Sequence, residues 1–290
     1  MAITLGTNLA SLNIRFSLNE VSGNYNSTME KLSTGLKINR AGDDAAGLVI
    51  SENMEAEIRG TKQAMANIQN AKSYLTIAED GMVSIGDHFQ RINDLLTNMA
   101  NDTNDIKSRT AAIDEIIERL KEINRLADSV NFNGRPMLDG TAQEIVVQMG
   151  ADETNLSTLE ISGALTDCHV SVLLGTTGVL LPEYLDPTSA DFEPNNENCR
   201  AYMALVQEAI SDIAQRRGLL GAYENRMESS YDSLTTRIQS LEAAKSIYTD
   251  TDIAEEATNM TKGQILQQIN VSLLAQANQS QGYALSLLGG

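Results

Sequence analysis

The fold is decided by one stretch of the chain, residues 64–99, which reads AMANIQNAKSYLTIAEDGMVSIGDHFQRINDLLTNM. Its apolar residues recur in alternating steps of four and three: Ala64, Ile68, Ala71, Leu75, Ala78, Met82, Ile85, Phe89, Ile92, Leu96 and Met99. This spacing places them along one side of an α-helix, as in the seam of a coiled coil. At 1.5 Å per residue the helix would be about 54 Å long, which is longer than a compact domain of this size needs. The stretch therefore predicts a long helix in an elongated bundle.

Two further stretches carry the same spacing and can share one core with the first. The first comprises Ile113, Ile116, Leu120, Ile123 and Ala127. The second comprises Met203, Val206, Ile210 and Ile213 and, after a break at Arg217, continues with Met227, Tyr231, Leu234, Ile238 and Leu241. All four prolines lie within residues 136–194, so uninterrupted helices are allowed on either side.

The two ends of the chain show a weaker form of the pattern. Its members are Leu5, Leu9, Leu12 and Phe16 at one end and Leu266, Ile269, Leu273, Ala277, Ala284 and Leu287 at the other. A single narrow seam cannot hold a helix alone, because ordering the backbone costs about 1–2 kcal/mol per residue. The simplest solution is that the end helices pair with each other and with neighbouring copies. The sequence therefore predicts a subunit made for assembly.

The middle of the chain follows a different pattern. Two β-rich runs, 144–149 and 156–161, surround a polar turn and predict a hairpin. Residues 166–199 gather turn-forming residues and predict a short variable surface insertion. The predicted fold class is mainly α, with long terminal coiled-coil helices, an elongated helical bundle and a small β-hairpin region.

Composition argues against several classes of function. The net charge of −18 and the pI near 4.4 disfavour nucleic-acid binding and binding to anionic membranes, since both need clustered Lys and Arg. No apolar run of 18 residues is present, so we expect no membrane insertion. The first residues do not resemble a cleavable signal peptide, so export would need another route.

Catalysis and metal binding have little support in the sequence. His88 and His169 are far apart, and neither lies in a catalytic or metal-binding motif. We therefore expect no enzymatic activity, no cofactor and no metal site. Cys168 and Cys199 flank the most irregular part of the chain, and two interpretations stay open: a disulfide in an extracellular setting, or two free thiols.

Several stretches resemble the bacterial flagellin family. Residues 31–51, KLSTGLKINRAGDDAAGLVIS, are similar to the N-terminal signature of that family, and the similarity continues in NFNG at 131–134 and RGLLGAYENR at 217–226. The end of the chain, from Ala277 to Leu288, also resembles it. The resemblance covers about residues 1–165 and 200–290.

The resemblance implies a domain organisation. Residues 1–42 and 250–290 would form a terminal coiled-coil domain lining the inner tube of a filament. Residues 43–165 and 200–249 would form a helical rod with a hairpin, and 166–199 the surface insertion.

The resemblance also implies a function and partners. The function would be that of a structural subunit that assembles with itself into an extracellular flagellar filament for motility. The alternative is a hook–filament junction protein of the same superfamily. The implied partners are an export chaperone, the flagellar type III export apparatus, and the filament cap and junction proteins.

One segment resembles the part of flagellin that the host Toll-like receptor 5 recognises. It comprises Gln90, Arg91 and Leu95, with Glu115 as the matching acid on the next helix. The plainer interpretation is a solvated helix face, since Arg91 and Leu95 are four residues apart and lie off the apolar seam.

Overall fold

The computed structural model describes residues 8–141, 144–151, 157–175 and 195–288, the last eight by their backbone alone. The chain divides into two compact units: Met1–Ile58 with Gln239–Gly290, and Arg59–Ile238, each as far as it is described. The fold is mainly α-helical, as the sequence predicts. The domain boundaries implied by the resemblance stay a prediction, because units defined by packing within one chain need not coincide with the domains of an assembly.

The first unit is built on two helices from opposite ends of the chain, α1 (Leu9–Thr34) and α6 (Ile253–Leu288), which pack together. Helix α1 begins at Asn8, whose side chain accepts the N–H of Ser11 at 3.0 Å. It ends at Gly35, whose left-handed φ of 73° closes the helix. Two carboxylates in the first turn of α6, Glu255 and Glu256, stabilise the helix by interacting with the positive end of its dipole.

Residues 31–51, the block with the family resemblance, span the end of α1, the turn that follows it and the beginning of α2 (Ala45–Met99). The carboxylate of Asp43 accepts the N–H groups of Asn39 and Arg40 at 3.0 and 2.9 Å. Asp44 accepts those of Ala46 and Gly47, both at 3.0 Å, and so caps α2. Two neighbouring carboxylates in the block therefore serve backbone structure.

The same turn is tied to the connection between α5 (Asn196–Thr249) and α6. Leu36 forms an antiparallel bridge with Asp250. The N–H of Lys37 donates to the carbonyl of Thr249 at 2.7 Å, and that of Thr251 donates to the carbonyl of Gly35 at 3.0 Å. Gly35 thus ends a helix and supplies a carbonyl to this bridge.

The second unit contains α3 (Ile106–Ser129) and the adjoining parts of α2 and α5. Every predicted seam residue of α2, from Ala64 to Met99, is buried, and so are the five predicted on α3. These predictions are confirmed.

On α5 the predicted seam is partly wrong. The residues buried at its beginning are Cys199, Tyr202, Val206, Ala209 and Ile213, again in steps of three and four. Met203 and Ile210, which the sequence analysis placed on the seam, are only half-buried beside it. The small side chain of Ala209 and the flat ring of Tyr202 fill the core there.

Two antiparallel strand pairs and a short helix complete the second unit. Strands β1 (Asn131–Phe132) and β2 (Arg135–Pro136) form one pair, and β3 (Ile145–Gln148) and β4 (Thr158–Ile161) form the other. The second pair confirms the predicted hairpin, with Ile145 opposite Ile161.

The short helix α4 (Val170–Leu173) belongs to a segment that packs in the core, with Ala164, Leu165, Cys168, Val170, Leu173 and Leu174 buried. The start of the predicted surface insertion is therefore core. Residues 176–194 of that insertion lie outside the described residues.

Candidate assembly surface

The seam between α1 and α6 contains many polar residues. Its half-buried and buried positions include Ser11, Ile14, Leu18, Val21, Tyr25 and Thr28 on α1, and Met260, Gly263, Gln267, Asn270, Leu274 and Ala277 on α6. Both sets advance in alternating steps of three and four, which is the spacing of a helix pair. Of these, Ala277 alone belongs to the apolar sets predicted from the sequence for these ends.

Hydrogen bonds between uncharged side chains fix the register of this pair. The Gln264 amide donates to the Tyr25 hydroxyl at 3.3 Å, and the Gln267 amide donates to the Ser22 hydroxyl at 3.2 Å. A third bond runs from the buried Asn270 amide to the hydroxyl of Ser17 at 3.4 Å. Residue numbers rise on one helix as they fall on the other, so the helices are antiparallel. A buried amide keeps its bond only in the matching register, and the ladder therefore selects one alignment.

The larger apolar residues predicted at the chain ends face outward. On α1, Leu9, Leu12 and Phe16 are 46 to 65% exposed, and on α6, Leu266, Ile269 and Leu273 are 37 to 46% exposed. Leu5 lies outside the described residues, as do the side chains of Ala284 and Leu287. We call these six exposed residues the outer stripes. The sequence predicts one narrow seam per helix, but each helix carries two: an inner one for its partner helix and an outer one that is exposed.

Away from the end of α1 and the beginning of α6, where Lys31 pairs with Glu256 at 3.5 Å, the end helices are also almost free of charge. Among residues 1–29 the only ionisable side chains of Asp, Glu, Lys or Arg are Arg15 and Glu20, and among residues 257–290 the only one is Lys262. A solvated helix face normally carries more charge than this. The combination of exposed apolar residues and few charges is typical of a surface that becomes buried on association.

A second candidate surface lies on α2 and α3. The Arg91 guanidinium contacts the Glu115 carboxylate at 3.2 Å, and Gln90 and Arg91 are exposed. Bonds from Arg119 and then Arg91 lower the pKa of Glu115, so it is ionised at neutral pH. The prediction that Leu95 lies off the apolar seam is wrong. Its side chain is only 9% exposed and belongs to the core, next to the seam residue Leu96.

The two cysteines are free thiols and are fully buried in the core cluster. Burial raises the pKa of Cys168 to about 11, despite the Arg216 guanidinium at 3.5 Å from its sulfur, and burial also raises the pKa of Cys199. Both therefore stay protonated and act as small apolar side chains. The sequence predicts them at the edge of an irregular loop, whereas both side chains pack in the core.

In the described part of the chain, no helix is long and apolar enough to span a membrane. No cluster of His, Cys, Asp or Glu among those residues is arranged to hold a metal ion.

Comparison with known proteins agrees with the arrangement of the helices. The sequence model of the family called bacterial flagellin N-terminal helical region matches residues 5–143. The family model of the bacterial flagellin C-terminal helical region matches residues 203–288. A flagellin from Halalkalibacterium halodurans is 36% identical over 90% of both chains, and one from Bacillus subtilis is 34% identical over 97% of this chain and 98% of its own. The flagellar filament 33 kDa core protein of Treponema phagedenis is also 34% identical, with the same coverage.

Among solved structures, a provisionally named flagellar hook-associated protein from Vibrio parahaemolyticus is similar, with a TM-score of 0.58 and 15% identity. It aligns with 71% of this chain and 99% of its own. This likeness concerns the fold alone.

Proposed function

The chain belongs to the bacterial flagellin family, and we propose that the outer stripes of α1 and α6 are the surface through which its copies join into a flagellar filament. The protein is a structural subunit of that filament and serves motility. We place the filament outside the cell, and we assign the protein no catalytic role.

The observation that carries the proposal is that each end helix has two seams, of which only the inner one is covered within the chain. The inner seam is filled by the partner helix and aligned by amide and hydroxyl groups. The outer stripes remain exposed on the stretches 1–29 and 257–290, which carry almost no charge. Burying such residues against another copy would release the water that covers them, and this gain is the main driving force of protein association.

Seeded polymerisation of the purified protein tests the proposal. Electron microscopy should show helical tubes for the complete chain. A variant lacking residues 255–290 should remain soluble, since the core of the second unit does not include those residues, and it should form no tubes. Tubes formed by the shortened variant would rule out α6 as an assembly element.

The alternative, a hook–filament junction protein, is not favoured. The curated relatives with high coverage are named flagellins or filament core proteins. The same microscopy separates the two, because a junction protein would give discrete oligomers under conditions where a filament protein grows without limit.

We further propose that the end helices have partners before and during assembly: an export chaperone, the flagellar type III export apparatus, and the filament cap and junction proteins. Exposed apolar stripes invite premature association, so a chaperone that covers α6 would keep the subunit monomeric. A titration of the chain with a flagellin chaperone, followed by its effect on seeded growth, tests this. Unchanged growth at saturating chaperone would exclude such a role.

Recognition by the host Toll-like receptor 5 is a separate proposal for Gln90, Arg91, Leu95 and Glu115. The exposed ion pair of Arg91 with Glu115 supports it, while the buried Leu95 would act by positioning the neighbouring side chains. A receptor reporter assay should show a weaker response to Arg91→Ala than to the complete chain. A matched change at the exposed Lys107 should have no effect, and equal responses to both variants would exclude this site.

A further inference from the structure

His169 lies between two carboxylates that belong to different parts of the chain. Its Nδ1 is 2.6 Å from Oδ1 of Asp167, two residues earlier, and its Nε2 is 3.1 Å from Oδ1 of Asp128, on α3. The imidazole and Asp167 are about three-quarters and two-thirds buried, whereas the side chain of Asp128 is 67% exposed. The ring therefore bridges a largely buried local carboxylate and an exposed one on another element.

The residues around His169 form a segment held against the helices by a few specific contacts. Asn124 of α3 accepts the N–H of Val170 at 2.9 Å, and the Arg216 guanidinium of α5 donates to the carbonyl of Asp167 at 2.8 Å. Val170, Leu173 and Leu174 are buried beneath it. The His169 to Asp128 contact is thus a side-chain link between this segment and α3.

Both ring contacts require a protonated imidazole. A neutral imidazole has one N–H and one bare nitrogen, and an ionised carboxylate can only accept a hydrogen bond. After loss of the proton, one nitrogen would direct its lone pair at a carboxylate, and that contact would become repulsive. Asp167 is the harder partner to move, because the same oxygen also accepts the backbone N–H of His169 at 2.8 Å. The exposed Asp128 is therefore the one that separates.

The other charges near the ring support the protonated form. Partial burial acts to lower the pKa of His169, but the bonds to Asp167 and Asp128 outweigh it and raise this pKa above the ordinary value. Burial acts to raise the pKa of Asp139, after β2, yet bonds from Thr141 and the charge of His169 lower it overall. On α5, Asp212 pairs with Arg216 at 2.7 Å. Carboxylates thus face His169 from α3 and from its own segment, while Arg216, which donates to the Asp167 carbonyl, is paired with Asp212.

We propose that His169 is a pH-controlled clamp, which in its protonated form holds residues 167–174 on α3 and on deprotonation releases their link to Asp128. The clamp contributes its full stabilisation below the ordinary pKa of histidine. It loses that stabilisation as the pH rises through the raised pKa of the folded state. The inference concerns the fold of the monomer and does not depend on filament assembly.

The first experiment is an NMR titration of the full chain as monomer, with ¹⁵N-labelled histidine. The chain has two histidines, so His88 serves as an internal reference. His169 should titrate above the ordinary value, and its neutral form should keep the proton on Nδ1. In Asp128→Asn, the titration of His169 should shift to lower pH. A titration at the ordinary value that Asp128→Asn leaves unchanged would overturn the proposal.

The second experiment measures hydrogen exchange at the amides of Leu173 and Leu174, which donate to the carbonyls of His169 and Val170, after correction for the intrinsic effect of pH. Their protection should fall across the titration of His169, by at most about tenfold for each pKa unit that the Asp128 contact contributes.

In Asp128→Asn the fall in protection should disappear, because the new side-chain amide can donate to a neutral Nε2 of His169 or accept from a protonated one. His88→Gln is the matched control and should show the same fall in protection as the unchanged chain. If His169 titrates as expected but protection does not change between its two states, the ring does not act as a clamp.

Discussion

Replacing Ile269 by aspartate would test the outer stripe of α6 most directly. Ile269 is 46% exposed in the single chain. Since complete burial of such a side chain is worth about 1.5–3 kcal/mol, covering the exposed half would contribute about 1 kcal/mol on assembly. An aspartate in the same contact would instead place an unpaired charge in an apolar surface, at a cost of about 3 kcal/mol or more. The change therefore weakens each subunit contact by about 4 kcal/mol, which corresponds to about a thousandfold rise in the protein concentration needed for filaments.

Seeded growth followed by sedimentation measures that concentration. Gln268→Asp is the matched control, because it adds the same charge to the next residue, about 100° around the helix from Ile269. Urea unfolding of both monomers should give nearly equal midpoints, since both positions are exposed. If Ile269→Asp pellets at the same concentration as the unchanged chain, the outer stripe is not an assembly contact.

Three further predictions concern the fold of the subunit. Changing Cys168 and Cys199 to serine should lower the free energy of unfolding by about 1–3 kcal/mol for each hydroxyl placed in the core, while seeded filaments still form; unchanged urea midpoints would show that the thiols are not core residues. Gly35→Ala should cost about 1–2 kcal/mol, because the φ of 73° is unfavourable for a residue with a Cβ, and thermal unfolding should show the loss. Tyr202→Ala should destabilise by about 3–5 kcal/mol and clearly more than Met203→Ala, since Tyr202 is completely buried; equal losses in chemical denaturation would favour the seam inferred from the sequence.

The sequence was most informative where the apolar pattern is long. The seam of α2 runs through residues 64–99, and a shift of register by one residue would expose many large side chains at once. Only one alignment satisfies the whole stretch, and the structure has it. On α5 the apolar neighbours Tyr202 and Met203, and again Ala209 and Ile210, offer two alignments. Ranking by hydrophobicity favours Met203 and Ile210, whereas close helix packing favours the residues that fit the available space.

Other features carried too little signal in the sequence. The inner seam of the end helices includes Gln267 and Asn270, which an apolar pattern passes over because their contribution is a set of hydrogen bonds. Spacing therefore identified the exposed stripes and missed the contact between the helices. His169 looked incidental because one of its partners, Asp128, is 41 residues earlier and only the fold brings them together. Contacts of this kind depend on tertiary structure, and a single sequence does not report them.

The distribution of charge bears on why the end helices can be both exposed and stable. Arg15, Glu20 and Lys262 are the only charged side chains in residues 1–29 and 257–290, so residues 30–256 carry essentially all of the net charge of −18. In an assembly each charge on a contact surface recurs in every copy, and two like charges 10 Å apart repel by roughly 2 kcal/mol at an effective dielectric constant of 20. A helix with the average charge density of this chain would repeat that penalty at each contact. Confining the negative charge to the remainder of the chain keeps dissolved subunits apart by repulsion. It also leaves the outer stripes free to gain from apolar burial when copies meet.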